Sequence, residues 1–171
     1  MNTQKQYKEK NEFEKIDKHI ERIKSSVDHL TLLLNDFLSL GRLDEGRIEI
    51  HYESIQIEEY LKEVKEEIGP LKKGQQLKIN CDPYPPYIQT DPHILRHILF
   101  NLISNASKYS EPQKCIFLSC SGDKKTLTLS VRDEGIGIPK EDHKHLFDRF
   151  FRASNAGNIQ GTGLGLNIVK R

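Results

Sequence analysis

The chain has 171 residues, 36% of them hydrophobic and 30% charged, against about 25% charged in an average globular domain. Lys plus Arg total 26 and Asp plus Glu 25, and the resulting net charge of +1 argues against a nucleic-acid scaffold or a polyanionic tail. Cys81, Cys115 and Cys120 form an odd, unpatterned set, which argues against a disulfide framework and favours a reducing cytoplasm. No apolar run approaches about 18 residues and no signal-peptide pattern follows Met1, so no membrane-spanning segment is expected.

Residues 1–12 are polar and read as a frayed tail or the outer turns of a helix. Ile16, Ile20, Ile23, Val27, Leu30, Leu34 and Phe37 then advance by alternating fours and threes, the spacing of a heptad seam. Leu33, Leu38 and Leu40 widen the stripe, and Glu21, Arg22, Lys24 and Asp28 supply a solvated outer face. Such a helix cannot bury its seam alone, and no matching second long helix follows. A homodimer, or a neighbour outside this chain, is expected.

Gly41 and residues 44–46 break the helix. Residues 47–52 (RIEIHY) alternate like a short strand, and Ile57, Tyr60, Leu61, Val64 and Ile68 have helical spacing that stops at Gly69-Pro70. Residues 77–81 form a second strand candidate, and residues 82–86 are a turn-rich break. Asp91-Pro92 predicts a helix start, with Asp as N-cap and Pro at the first helical position. Residues 114–121 and 126–133 alternate as two strands joined by a hairpin loop at 122–125. Pro139 opens a short charged helix, and a loose stretch at 153–160 leads to GTGLGL and the start of another helix. The expected class is α+β: a long coiled-coil-type helix followed by a two-layer α/β sandwich.

Three segments carry chemistry. On a helical wheel from Asp91, Leu95, Ile98, Leu99, Leu102 and Ala106 form a core stripe. Asn101, Asn105 and Lys108 lie together beside it, about a quarter turn or more from its centre. Asn is a poor interior helix residue, and two of them a turn apart, followed by a cation, align amide oxygens with a positive charge. Amide oxygen is a suitable hard ligand for Mg²⁺, which takes few protein ligands and leans on phosphate oxygens; a solvated polar face is the alternative. Asp133-Glu134-Gly135-Ile136-Gly137-Ile138-Pro139 places glycines two apart at a strand end, where the backbone can approach a ligand closely. Its carboxylate can accept from an exocyclic amine such as that of adenine, although an ordinary turn also favours Asp and Gly. Gly161-Thr162-Gly163-Leu164-Gly165-Leu166 leads into a helix and can offer backbone N–H groups to a polyphosphate. It is neither a P-loop nor a dinucleotide fingerprint, and a merely flexible loop is its alternative.

In this order the three segments resemble the nucleotide-binding boxes of the gyrase, chaperone, histidine-kinase and mismatch-repair ATPase superfamily, and in detail those of sensor histidine kinases of two-component systems. NLISNASKYS (Asn101 to Ser110) resembles their N box, DEGIGIP and GTGLGL their two glycine boxes, and FDRFFR (Phe147 to Arg152) the phenylalanine-containing box of the lid. The helix ending NDFLSLGRLDEGRIEI (Asn35 to Ile50) is similar to the second helix of the dimerisation and phosphoacceptor domain. The resemblance implies residues 1–46 as that helix with its polar tail, and residues 47–171 as the ATP-binding domain. It implies ATP and Mg²⁺ as cofactors, with Asn105 as metal ligand and Asn101 supporting metal and phosphates. Lys108 and Tyr109 would contact phosphates. Asp133 would hold the adenine amine above a floor shaped by Gly135 and Gly137. Arg149 and Arg152 would steady charge on the γ-phosphate, and Gly161, Thr162, Gly163, Leu164 and Gly165 would close over the triphosphate. The implied partners are a second copy of the chain and a response-regulator receiver domain, with no nucleic acid. The implied location is cytoplasmic, with membrane anchoring of a parent protein left open.

The family's acceptor motif, of the type His-Glu-Leu-Arg-Thr-Pro, is absent from the sequence. His19 and His29 lie on the second-helix match, His51 in a strand candidate, and His143 and His145 among lid charges. His93 and His97 are one turn apart opposite the apolar stripe, without the Glu that would complete a metalloprotease motif. The family also continues beyond the second glycine box, so the chain is expected to be a fragment cut at both ends, with an incomplete sheet. Two alternatives stand beside the kinase reading. One is a non-catalytic dimerisation or scaffold module with a relict pocket. The other is a serine-kinase or ATPase relative of the same superfamily.

Overall fold

The computed structural model describes residues 16, 19, 20, 23, 27, 49–71, 74–82, 86–123, 125–157, 159 and 161–170. The chain divides into two units, Met1–Gly46 and Arg47–Arg171. In the first, Ile16, His19, Ile20, Ile23 and Val27 are helical and exposed. The remainder of the heptad stripe, Leu30, Leu34 and Phe37 with Leu33, Leu38 and Leu40, lies outside the described residues.

The second unit is α+β. Its elements run β1 (Glu53–Gln56), α1 (Ile57–Ile68), β2 (Gln76–Asp82), β3 (Tyr87–Thr90), α2 (Pro92–Tyr109), β4 (Cys115–Gly122), β5 (Leu127–Arg132) and α3 (Gly165–Lys170). Short 3-10 helices occupy Lys140–His145 and Ser154–Ala156. β1 and β3 form a small antiparallel sheet, while β2, β4 and β5 form a mixed sheet in that order, parallel across β2/β4 and antiparallel across β4/β5. The parallel pair requires a long crossover, and the segment carrying β3 and α2 supplies it.

Helix α1 forms where its spacing predicts. Gln56 caps it by accepting from the Glu59 N–H, and Gly69, at φ 65°, ends it with its N–H on Glu66 and Lys65 carbonyls. Ile57, Tyr60, Leu61 and Val64 are buried. They meet Leu99, Ile103 and Ala106 of α2 and the inward residues Leu77, Ile116, Leu118 and Cys120 of the sheet in one core cluster. The opposite sheet face carries Lys78, Phe117 and Arg132 in one cross-strand row, with both cations against the Phe117 ring.

Three expectations are corrected. Of the strand expected at residues 47–52, positions 47 and 48 lie outside the described residues and 49–52 are not strand; the strand lies at Glu53–Gln56, because its limits are set by pairing with Tyr87–Thr90, and Ile50 and Tyr52 are exposed. On α2 the buried residues are Leu99, Ile103, Ala106 and Ser107, so the core stripe is turned by about 70° from the expected one. Ile98 and Leu102 are only half-buried. The cysteines are not all unpaired: Cys81 and Cys120 form a disulfide, and Cys115 is free. The in-register pairing Cys81↔Cys120 across β2/β4 brings their Cα atoms to 4.5 Å, a proximity between residues far apart in sequence. Among the described residues no helix is long and apolar enough to cross a membrane.

Asp91, the expected N-cap of α2, accepts from the N–H groups of His51, His93 and Ile94. The His51 N–H leads in holding its carboxyl below the ordinary 3.8. The Lys125 N–H does the same for Asp123 and the Ser154 N–H for Asp142. Since the folded values are depressed, this stabilisation is complete above the ordinary value and disappears as pH falls through the folded ones. Thermal melts from about pH 5 to about pH 2 should therefore show stability falling steeply below 3.8. Asp91→Asn should make that fall shallower; an unchanged pH profile would refute the assignment for Asp91.

Candidate functional site

Because the core side of α2 is turned toward Ile103, the row of Asn101, Asn105 and Lys108 lies nearly opposite the sheet, about 180° from the buried stripe. These side chains therefore do not compete with core packing. Asn101 Nδ2 donates to the His97 carbonyl at 3.1 Å, which fixes the amide and turns Oδ1 the other way. A methyl group placed on Gly165 would stand 2.9 Å from that Oδ1 and 3.6 Å from Asn105 Nδ2. One placed on Gly161 would lie 3.1 Å from Lys108 Nζ and 3.7 Å from the Tyr109 hydroxyl. The glycines at 161 and 165 thus run along the polar row of α2, and their missing side chains make the approach possible.

The other glycine loop meets the C-terminal end of the same helix. Ser110 and Gly135 form an isolated antiparallel bridge, and the Ile136 N–H donates to the Tyr109 carbonyl at 3.3 Å. A Cβ at Gly135 would sit 2.5 Å from that carbonyl oxygen. Asp133 is exposed at the end of β5, one carboxylate oxygen accepting the Gly135 N–H at 2.9 Å. A carboxylate has further lone pairs for a ligand amine. Gly137 has φ 66°, in the left-handed region that glycine adopts without strain.

The segment between the glycine loops is tied back at both ends. Asn155 Nδ2 donates to the Ile136 and Gly137 carbonyls at 3.3 and 3.0 Å, and Ser154 donates through its N–H and hydroxyl to Asp142. Buried Asn167 of α3 donates to the Phe147 carbonyl at 2.7 Å. Gly163, at φ 72°, lies against backbone: a Cβ there would stand 2.6 Å from the Phe150 carbonyl carbon. Phe150 itself has φ 62° and an exposed side chain.

The expected site residues thus fall into two groups. Gly161 and Gly165 meet Asn101, Asn105, Lys108 and Tyr109 of α2, while Gly135 meets the end of the helix at the Tyr109 carbonyl, with Asp133 and Gly137 on the same loop. Arg149 and Arg152 are exposed on the segment between the glycine loops. Arg152 donates to the Gly157 carbonyl at 3.1 Å and to that of Ile159, so it is engaged within its own loop. Leu164 is buried, and its N–H donates to Thr162 Oγ1 at 3.1 Å; that N–H, expected to face a phosphate, is occupied internally. Asn155 and Asn167 escape sequence reasoning. The only signal for Asn167 is an Asn inside a helix, and Asn155 lies in a loose stretch of Ser, Asn and Gly.

The donor set suits a hard cation held jointly with phosphate oxygens. Among the described residues no group of three or more His, Cys, Asp or Glu side chains could hold a metal by itself. The Asn101 amide oxygen on the α2 row faces Gly165 of the second glycine loop, with the Asn105 amide beside it, and Mg²⁺ characteristically combines few protein ligands with substrate phosphates.

Residues 90–171 match the family described as Histidine kinase-, DNA gyrase B-, and HSP90-like ATPase. Sensor histidine kinase YkoH of Bacillus subtilis is 35% identical over 160 residues, covering 92% of this chain and 34% of YkoH. Sensor histidine kinase WalK of the same organism is 34% identical over 152 residues, covering 85% of this chain and 25% of WalK. The chain thus spans about a third and a quarter of the lengths of these two relatives. Full-length ShkA, solved in complex with AMPPNP, aligns with a TM-score of 0.71 at 33% identity over 85% of this chain and 31% of ShkA. The histidine kinase AdeS of Acinetobacter baumannii shares the fold, with a TM-score of 0.67 at 23% identity over 84% of this chain and 66% of AdeS.

Proposed function

Because this chain carries a histidine kinase-type ATP-binding domain, we propose that it binds ATP with Mg²⁺ and donates the γ-phosphoryl to a histidine, for relay to an aspartate of a response-regulator receiver domain. The observation that carries this reading is that both glycine loops meet α2: Gly161 and Gly165 lie against Asn101, Asn105, Lys108 and Tyr109, and Gly135 lies against the Tyr109 carbonyl at the C-terminal end of the helix. That arrangement offers a cation, amide oxygens and close backbone approach to one elongated anionic ligand. The domain assignment accompanies it: residues 47–171 as the nucleotide-binding unit, and residues 1–46 as the second helix of a dimerisation domain. The exposed helical residues Ile16, Ile20, Ile23 and Val27 support a homodimer through the heptad seam.

In this reading Asp133 accepts the adenine amine, and Gly135 and Gly137 let the base lie close to the loop backbone. Lys108 and Tyr109 contact phosphate oxygens, while Gly161, Thr162, Gly163, Leu164 and Gly165 form the flank that covers the triphosphate. Asn105 holds the metal, with Asn101 positioned beside it by its bond to the His97 carbonyl. Bound Mg²⁺ would neutralise phosphate charge and orient the γ-phosphoryl. Arg149, and Arg152 if it leaves its carbonyl partners, supply positive charge from the lid as charge develops on the transferring group. No acceptor motif stands in this sequence, so the acceptor histidine is placed on another segment or chain.

Binding of a fluorescent ATP analogue with and without Mg²⁺ tests the reading. Mg²⁺-dependent binding is expected, and Asn105→Asp should weaken it on the order of tenfold by setting a carboxylate among phosphates. Equal binding by that variant would remove Asn105 from the metal site. No binding by the parent would overturn the kinase reading in favour of a scaffold with a relict pocket.

A further inference from the structure

Gln75 is an uncharged residue in the short link before β2, yet it is 6% exposed. Its Nε2 lies 3.0 Å from the Ser107 carbonyl oxygen, 3.2 Å from that of Ser110 and 3.1 Å from that of Glu111. Its Oε1 accepts the Ser107 hydroxyl at 2.6 Å. The last carbonyls of a helix have no intrahelical partner, and here a side chain 32 residues upstream of Ser107 serves them. An amide has two N–H groups, so these three carbonyls share them.

The residues held this way are the ones that carry the loops of the site. Between Ser107 and Ser110 lie Lys108, next to Gly161, and Tyr109, whose carbonyl takes the Ile136 N–H and abuts Gly135. Ser110 itself bridges Gly135. The neighbouring Gln76 N–H donates to the Lys114 carbonyl at 3.3 Å, so the link is anchored on both sides of the α2–β4 turn. We infer that Gln75 is a positioning residue for the nucleotide site: it fixes the C-terminal turn of α2, and through it the spacing of the Asp133–Gly137 loop and the second glycine loop. This rests on reading the pocket as a nucleotide site, and it adds a residue that touches no ligand.

Gln75→Met keeps length and apolar bulk but removes all four bonds, while Val64→Ala damages the buried core from α1 and leaves those bonds in place. Both are compared with the parent at a temperature where all three are folded. Gln75→Met is expected to weaken ATP-analogue binding about tenfold and to speed amide exchange at Ile136 by a similar factor. Exchange at Thr126, in the far hairpin, should not change. Val64→Ala should leave affinity within about twofold. Parent-like affinity in Gln75→Met, unchanged exchange at Ile136, or an equal loss in Val64→Ala would each overturn the inference. If the parent binds no nucleotide, the functional reading fails by itself, and Ile136 exchange still decides whether Gln75 positions the loop.

Discussion

Gly135→Ala is expected to reduce affinity for an ATP analogue at least about 100-fold, equivalent to about 2.7 kcal/mol, and to destabilise the second unit by about 2 kcal/mol. The reason is contact with main chain. The new methyl would lie 2.5 Å from the Tyr109 carbonyl oxygen and 2.9 Å from its carbon. Neither atom can rotate away as the end of a side chain would. Relief requires the loop to leave α2, which breaks the Ser110–Gly135 bridge and the bond from the Ile136 N–H. It also shifts Asp133, whose Oδ1 stands 2.8 Å from the same methyl. Gly137 offers the internal comparison. It needs glycine for its φ of 66°, but a methyl group there would meet nothing within 4 Å, so Gly137→Ala should cost about 1–2 kcal/mol and far less affinity. Analogue titration and thermal melts on both variants check this. Equal effects at the two positions would show that close approach at Gly135 is not what the site requires.

These two glycines also show why the site is legible before the fold. Close approach and left-handed backbone each restrict a position to glycine, so the requirement is written in residue type and spacing, and the same is true of Gly163. Helix α1 is legible for a similar reason, since Ile57 to Ile68 repeat with the helical period and Gly69-Pro70 ends them. Asp91 as a cap, and the hairpin joining β4 to β5, are likewise local chemistry.

What escapes depends on contacts distant in sequence. β1 and β3 are four residues each and exist as a pair. Nothing in Tyr87–Thr90 alone separates a strand from a loop, whereas its pairing with Glu53–Gln56 does. The orientation of α2 differs from the expected one because Ile98 and Leu102 are as apolar as Leu99 and Ile103; only the position of the sheet distinguishes them. Gln75 looks like an ordinary polar link residue until the end of α2 folds over it. The same reasoning limits the heptad seam: its period is clear in sequence, whereas the identity of its partner is a matter of assembly.

The disulfide is the largest such contact, and reducing it should destabilise the second unit by about 4 kcal/mol. The bond closes a loop with a sequence separation of 39, and loop-closure entropy in the unfolded chain sets that magnitude. For a unit of this size the melting temperature should fall by about 15 °C. Melts of parent protein with and without reductant measure it, with Cys81→Ser/Cys120→Ser expected to match the reduced parent and Cys115→Ser to leave the reductant effect intact. No change on reduction would mean that the bond contributes nothing to stability. Its position separates this effect from nucleotide binding. Cys81 and Cys120 pair near the Asp82/Ser121 end of the parallel strands, whereas Gln75 and the α2 turn adjoin the opposite end, where Gln76 pairs with Cys115. Reduction should therefore lower the melting temperature while leaving analogue affinity within about twofold at a temperature where the unit stays folded. Loss of affinity in parallel with the melt would mean that the two ends of the sheet are coupled more tightly than their separate bonding implies.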